Sequence, residues 1–382
     1  LLLFYNVTLL FKLVPLTGRD KLLKEALSAC NKSGYNGVVL LPTGSGKGRL
    51  MIEIAKILRP KNILYVCNTT LLRDKTFKDE LRKWGAEYLI PIIDFECYQT
   101  TYKWVGRKYD LILADEFDAS LTPEYVKTFT NNLYKNKILV SATLDDEKRK
   151  KAEKIAPVIF ERGVNELIND KILNGINLYF INYNLTPEEN GFYLHYNISF
   201  KKLLNQFQSN DVKKKLEGLQ IQRKHFLSSL KSSAKVTKWL INNLKPRDEK
   251  VLVFCGLSEQ ADRICINSFH EKNKNHKAFE DFEKGLIKVI TVVNKVDRGL
   301  NIEGVKNIIH ESVGRSKTKM VQRNGRGMRL NVNEKLNVFF LIPYFLTVWG
   351  ERKPTIVLQW VMDSLKDMDT SNIKTIQYKE NV

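Results

Sequence analysis

The 382-residue sequence predicts an α/β protein with two parallel-sheet lobes in tandem and a helical insert or linker between them. Three observations carry this. Short, nearly continuous apolar runs alternate with helical periodicity, the pattern of strands buried on both faces beneath crossover helices. That series stops near residue 183 and begins again at 251. A chain of this length also exceeds what one hydrophobic core usually serves.

The elements follow in order. Thr17-Gly18-Arg19-Asp20 precedes a helical pattern over Leu22, Leu23, Ala26, Leu27 and Cys30, and turn-rich residues 31–36 lead into a strand at 38–41. A helix over 50–58 and a strand at 62–67 come next, then a helix over 71–84 and short strands at 88–90 and 92–95. Apolar runs at 109–114 and 137–140 complete the first series. Residues 144–160 read as a charged helix and a short strand, 166–172 as a helix and 177–183 as a strand. From Pro187 to about 245 the pattern is helical, rich in lysine and aromatics. Pro246-Arg247-Asp248-Glu249 breaks the chain before a strand at 251–255, and helices at 258–270 and 277–284 and strands at 287–293, 307–310 and 337–342 follow. The domain reading is a first lobe (1–145), a linker and mostly helical insert (146–245), a second lobe (246–345) and a helical tail (346–382).

Charge narrows the class of partner. Lys and Arg number 62 against 42 Asp and Glu, a net +20. The excess is spread out: 21 basic against 15 acidic residues in 1–145, 18 against 10 in 146–245, and 23 against 17 in 246–382. That distribution suits a long polyanion crossing several parts of the molecule, although a lysine-rich soluble surface would count the same. Five cysteines without a C-x-x-C pair read as reduced core residues of an intracellular protein, with neither a disulfide frame nor a zinc site. Residues 1–16 are apolar but interrupted by Asn6 and Lys12, too short and mixed for a membrane span, and the chain opens on Leu1, consistent with a missing start.

The chemistry sits at strand ends. Val38–Leu41 breaks into Pro42-Thr43-Gly44-Ser45-Gly46-Lys47-Gly48 before the helical pattern. Glycines let backbone N–H groups approach a phosphate chain, a helix N-terminus faces it, and Lys47 supplies a point charge. The strict phosphate-loop pattern fails twice, at Leu41 and at Gly48. Asp115-Glu116-Phe117-Asp118 follows another apolar strand, placing two carboxylates side by side: one to hold Mg²⁺ and one to orient an attacking water. Ser141-Ala142-Thr143 ends a third strand.

Taken in sequence, these stretches resemble the superfamily 2 helicases, nucleic-acid-dependent ATPases with two RecA-like lobes and the nucleotide between them. The likeness spans roughly residues 17 to 342. It implies a nucleotide contact from Arg19 and a phosphate cradle of Thr43, Gly44, Ser45, Gly46, Lys47 and Gly48. It implies Asp115 as the Mg²⁺ ligand, Glu116 as the residue that orients water, and Asp118, Ser141, Thr143 and Gln322 as coupling residues. Arg298-Gly299-Leu300-Asn301-Ile302 resembles motif V, and Gln322-Arg323-Asn324-Gly325-Arg326-Gly327-Met328-Arg329 resembles motif VI, which implies Arg326 and Arg329 as arginine fingers. Asn68, Thr69, Gln99, Thr100, Thr291, Asn294 and Arg298 would meet nucleic acid. Leu23 stands near where a base-reading glutamine is usual, which removes a sign of adenine selectivity, and ATP is still expected by default. Lys75–Gly85, Ala114–Tyr125, Lys277–Phe282 and Asn294–Arg298 look similar to compact phage and viral helicases and to restriction-enzyme motors, which favours DNA over RNA.

The expectation is an ATP- and Mg²⁺-dependent DNA helicase or translocase, a monomer without membrane attachment, in the cytoplasm, or the host cytoplasm if phage-encoded. The alternative is a nucleic-acid-binding scaffold with weak or no hydrolysis, because Gly48 replaces a Mg²⁺-binding hydroxyl. A single-lobe P-loop kinase leaves residues 250–342 unexplained. The aromatics at 192, 193, 196, 200 and 207 could stack bases, but at helical spacing they read first as the insert's own core.

Overall fold

The computed structural model describes residues 17–70, 72–206, 209–244, 249–273, 275–293, 304–313, 334–366, 368 and 370–379. Two compact units meet in the chain between Leu173 and Asn174.

The first unit is built on six parallel strands: β1 (Asn36–Leu40), β2 (Ile63–Cys67), β3 (Ile93–Cys97), β4 (Lys108–Ala114), β5 (Leu133–Ser141) and β6 (Val158–Glu161). Their order is β3-β2-β4-β5-β1-β6. Every residue of β2 and the last four of β4 are buried, as the continuous apolar runs require of a sheet covered on both faces. Val38, Leu40, Leu64, Val66, Ile112 and Leu139 form one side of that core.

Residues 88–95 differ from the expected pair of strands. Glu87–Ile92 winds as a 3₁₀ turn containing Pro91, and β3 starts only at Ile93. Proline offers no N–H to a strand ladder, so pairing begins beyond it. The expected helix at 71–84 opens as a π turn, Leu72–Thr76, before a regular helix over Phe77–Lys83.

The second unit holds β7 (Ile176–Asn184), β8 (Lys250–Cys255), β9 (Ser268–Phe269), β10 (Val289–Val293), β11 (Val305–His310), β12 (Leu336–Leu346), β13 (Arg352–Pro354) and β14 (Lys374–Gln377). The sheet order is β14-β7-β12-β11-β8-β10-β9, with β13 antiparallel on β12. The segment expected as a linker is divided between the two sheets. β6 lies beside β1, whereas β7 runs inside the second sheet, in register with β12 from Ile176–Leu336 to Asn184–Tyr344. The expected helical tail holds one helix, Ile356–Ser364, flanked by β13 and β14.

The insert is three helices, Pro187–Leu204, Asn210–Leu227 and Lys231–Asn243. Thr186 caps the first in a reciprocal box with Glu189, whose other oxygen accepts the Ser232 N–H at 3.1 Å. Phe192 and Tyr196 meet Phe226 at 6.1 and 5.7 Å, Arg223 stands over Phe200, and Tyr193 is buried against Phe345. Tyr193, Tyr196 and Phe200 are packing residues, whereas Phe192 is 53% exposed; Phe207 lies outside the described residues.

One buried acid makes this unit pH-sensitive. Glu311 follows β11, is 4% exposed, and accepts hydrogen bonds from Ser233 Oγ at 2.7 Å and Gln260 Nε2 at 3.0 Å. Burial pushes its carboxyl up to about 7 despite those donors. A raised acid pKa means the folded chain holds the proton longer, so stability is greatest below the unfolded value and falls as pH rises towards 7. At about 1.4 kcal/mol per unit, Glu311 contributes a fall of roughly 3 kcal/mol across that window. Denaturant titrations from pH 4.5 to 8 should show the slope in the parent and most of it gone in Glu311→Gln. Parallel curves for the two proteins would disprove the assignment.

Candidate nucleotide and nucleic-acid site

Every loop singled out in the first unit leaves the carboxyl end of a parallel strand, where open α/β sheets bind ligands. After β1, Leu41 is held by its N–H donating to the Ser141 carbonyl at 2.9 Å. Ser45 Oγ donates to the Pro42 carbonyl at 2.7 Å, curling the loop back on itself. Gly44 and Gly46 have φ of 89° and 104°. A side chain at Gly46 would find open space, so the left-handed backbone, and not crowding, calls for glycine there. Gly46 is the N-cap of the helix Lys47–Leu58 and gives it no side-chain cap, which leaves N–H groups available to an anion. Lys47 Nζ donates to the Leu41 carbonyl at 2.9 Å, folding the lysine over its own loop.

The acidic loop follows β4. Asp115 Oδ1 accepts the Glu116 N–H at 2.9 Å and Oδ2 the Tyr65 hydroxyl at 3.3 Å. Burial raises the Asp115 carboxyl above the ordinary carboxylate range, while the Lys47 ammonium, the Glu116 N–H and Tyr65 pull the other way. The Lys47 effect puts the two loops within electrostatic reach of each other. Glu116 sits in the left-handed region, φ 52° and ψ 45°, strain that a non-glycine residue adopts only where its surroundings impose it. Tyr98 Oη donates to the Asp115 carbonyl at 2.9 Å, fixing the turn from below.

Asp118 is buried and joined to the third loop. Ser141 Oγ donates to Asp118 Oδ1 at 3.0 Å, and Lys148 Nζ lies 3.3 Å from Oδ2. The Thr143 carbonyl stands 3.4 Å from the same Ser141 hydroxyl. The structure thus brings together Lys47, Asp115, Asp118 and Ser141 from three strands.

Around Gly48 the layout has its own logic. A Cβ there would meet Glu80 Cγ at 3.4 Å, ordinary contact. Glu80 Oε2 accepts from Trp84 Nε1 at 2.9 Å; the Arg49 guanidinium lies over the Trp84 ring and pairs with Asp20 at 2.8 Å. Arg19 is exposed beside Asp20 on the helix Gly18–Lys32. For a hard cation the chain offers the Asp115 carboxylate and no hydroxyl at 48; one carboxylate completed by water and phosphate oxygens is an ordinary Mg²⁺ arrangement.

Of the residues expected to touch nucleic acid, Asn68 and Gln99 come together, Gln99 Nε2 donating to the Asn68 carbonyl at 3.2 Å. Thr69 Oγ1 accepts the Leu72 N–H at 3.4 Å, and Thr100 is half-buried in the helical turn Tyr98–Thr101. Thr291 departs from its expected role. It is buried within β10 with its hydroxyl donating to the Ala261 carbonyl at 3.1 Å, so it serves packing. Asn294, Arg298, Gln322, Arg326 and Arg329 lie outside the described residues. Sequence reasoning missed Tyr65, Lys148 and Glu80. Tyr65 could have been noticed as the one polar tip in an otherwise apolar strand; nothing local marks the other two.

The fold and the loops define a class: tandem parallel-sheet units, the first with a phosphate loop and an acidic strand end. Residues 19–93 match the model for the Type III restriction enzyme res subunit, and residues 234–331 match the helicase conserved C-terminal domain. The chain is similar to the superfamily 2 helicases through both of these domains. It is 22% identical over 349 residues to the "DNA 3'-5' translocase XPB2" of Sulfurisphaera tokodaii, covering 82% of this chain and 79% of that one. It is 24% identical over 360 residues to "Putative helicase 22" of Sulfolobus islandicus filamentous virus, of which it spans 61%. Among solved structures, the ATP-dependent Type ISP restriction-modification enzyme LlaBIII bound to DNA superposes with a TM-score of 0.65 at 13% identity, over 96% of this chain and 31% of that one. Saccharomyces cerevisiae Dbp5 bound to RNA and ADP BeF3 does so at 0.60, also at 13% identity, over 93% and 89%. Among the described residues no helix is long and apolar enough to cross a membrane.

The link from Ser141 to Asp118 is open to direct test. Ser141→Ala should cost about 1–2 kcal/mol in chemical denaturation, the effect of leaving a buried carboxylate one donor short. In a double-mutant cycle with Asp118→Asn the two costs should be non-additive by at least roughly 0.5 kcal/mol. Strict additivity would mean that the hydroxyl and the carboxylate do not support each other.

Proposed function

We propose that this chain is an ATP-driven DNA translocase or helicase, working as a monomer with Mg²⁺ and stimulated by the strand it moves on. The observation that carries the reading is the joining of phosphate loop, acidic loop and third loop at the carboxyl ends of neighbouring strands, through Leu41, Ser141 and Asp118. In this reading backbone N–H groups of 43–48 and the Lys47 ammonium bind the phosphates. Mg²⁺, held by Asp115, would screen phosphate charge when bound. Glu116 orients the water that attacks the γ-phosphorus, and Arg326 and Arg329 neutralise the negative charge on the phosphates in the transition state. Asn68, Thr69, Gln99 and Thr100, with Asn294 and Arg298, contact the sugar–phosphate backbone without reading sequence.

DNA is favoured over RNA by the relative named as a DNA translocase and by the restriction enzyme solved on DNA; Dbp5, solved on RNA, argues the other way at the level of fold alone. The net charge of +20 supports a polyanion of either kind.

A second reading rests on Gly48, which denies the metal a hydroxyl ligand. Under it the chain binds nucleic acid and hydrolyses little. The two separate by turnover. We expect ATPase stimulated by single-stranded, duplex or forked DNA above RNA, turnover falling at least roughly 100-fold in Glu116→Gln, and Gly48→Thr raising it by about one order of magnitude. Hydrolysis indifferent to every nucleic acid sinks the motor. If neither the parent nor Gly48→Thr turns over while DNA binding persists, the scaffold stands.

A further inference from the structure

Cys67 and Cys97 end the neighbouring parallel strands β2 and β3, in register with each other. In-register residues of adjacent strands point to one face, and strands lie about 4.8 Å apart, inside the Cα separation of about 4.4–6.8 Å that a disulfide spans. Both are free thiols, Cys67 fully buried and Cys97 5% exposed. Cys67 Sγ lies 3.3 Å from the Thr69 carbonyl and 3.6 Å from the Glu96 carbonyl. Within this pair Cys67 keeps its proton. The Cys97 thiol is drawn below the usual range by the Cys67 hydrogen bond and by the Arg73 guanidinium, which together outweigh burial, Glu96 and Asp74. Cys30 differs, since burial alone pushes it up to about 12.

Position gives the pair its interest. Cys67 immediately precedes the loop Asn68-Thr69, and Cys97 immediately precedes the helical turn Tyr98–Thr101; the Gln99–Asn68 hydrogen bond joins these two strand-end segments, called loops below. We propose that Cys67 and Cys97 are a site of reversible oxidative modification, closed to a disulfide by a hydroperoxide, which resets the two loops that meet nucleic acid. The effect on those loops rests on the motor reading above; the disulfide does not.

The chemistry balances. The Cys97 thiolate attacks one peroxide oxygen, the O–O bond breaks, and the departing hydroxide takes a proton to become water, leaving a sulfenic acid. The Cys67 sulfur, giving up its proton, displaces that hydroxyl as a second water. Two thiols and one hydrogen peroxide become one disulfide and two waters, sulfur losing two electrons and oxygen gaining two. A dithiol reductant reverses the bond. Closing it removes the Cys67 S–H donor from the Thr69 and Glu96 carbonyls and ties the roots of both loops together.

The full chain should be treated with graded hydrogen peroxide, denatured, alkylated and weighed. We expect two of the five thiols to escape alkylation first. The unalkylated mass should drop by about 2 Da, a Cys67–Cys97 peptide pair should appear, and dithiothreitol should restore the thiols. DNA-stimulated ATPase should fall severalfold in step with the link while basal hydrolysis holds, and Cys67→Ser should lose both link and effect. Oxidation of Cys30, Cys255 or Cys265 ahead of this pair, or passage of Cys97 to sulfinic acid without a link, overturns the site. A link that forms without changing stimulated activity overturns its hold on the loops. A reduced protein that DNA never stimulates refutes the motor and leaves the mass result standing.

Discussion

The first unit turns on Ser141. Its carbonyl takes the Leu41 N–H and its hydroxyl donates to Asp118, so one buried residue ties the phosphate loop, the acidic loop and the end of β5. A parallel sheet dictates why such a residue is needed. The ladder satisfies backbone groups along the strands, but at the carboxyl ends the chain leaves the sheet with carbonyls and side chains still to be paired. Ser141 is fully buried at that boundary, where an unpaired hydroxyl would be costly and two loops need anchoring. The same geometry lets movement of one loop be felt by the others, because the bonds are short and the cores beneath them are close-packed.

The electrostatics of the site follow from that placement. Asp115 is sealed below by Tyr65, from the middle of β2, and Tyr98, from the helical turn that follows β3. Tyr65 stacks flat on Phe77 at 4.0 Å, so its hydroxyl is aimed by an aromatic contact that has no part in ligand binding. The acid is therefore held in a place where its charge is disfavoured unless a cation joins it, and Lys47 is the cation the chain itself supplies. An Mg²⁺ ion with phosphates would enter a site that already demands positive charge.

Much of this was legible in the sequence because burial on both faces writes itself as unbroken apolar runs. β1, β2, β4 and β8 fall on the expected runs 38–41, 62–67, 109–114 and 251–255, with β1 beginning two residues earlier and ending at Leu40. The marked loops likewise emerge at carboxyl ends. What stayed hidden depends on contacts distant in the chain. β7 reads as a lone strand in a linker, and only pairing with β12, some 160 residues on, makes it interior to the second sheet. Thr291 carries a polar hydroxyl suited to a phosphate, yet Ala261 occupies it. The Lys148 pairing with Asp118 is invisible for the same reason: a lysine in Asp146–Glu153 looks like any solvated charge until the fold brings β5 and the acidic loop beside it.

Gly48 shows how the sequence and the fold constrain a site differently. The residue is helical, with φ outside the left-handed range, so the backbone does not demand glycine. A Cβ would make only ordinary contact with Glu80, so space at that atom does not demand it either. Glycine inside a helix costs about 1 kcal/mol relative to alanine, and a hydroxyl here would also help a metal. Next to the glycine the Glu80 side chain is held by Trp84, which Arg49 covers while paired with Asp20. That chain of contacts links the phosphate-loop helix to the helix Gly18–Lys32, on which Arg19 lies. The missing hydroxyl therefore coincides with this outer layer at the same point of the loop, and the ordinary contact with Glu80 leaves room for a Cβ at 48.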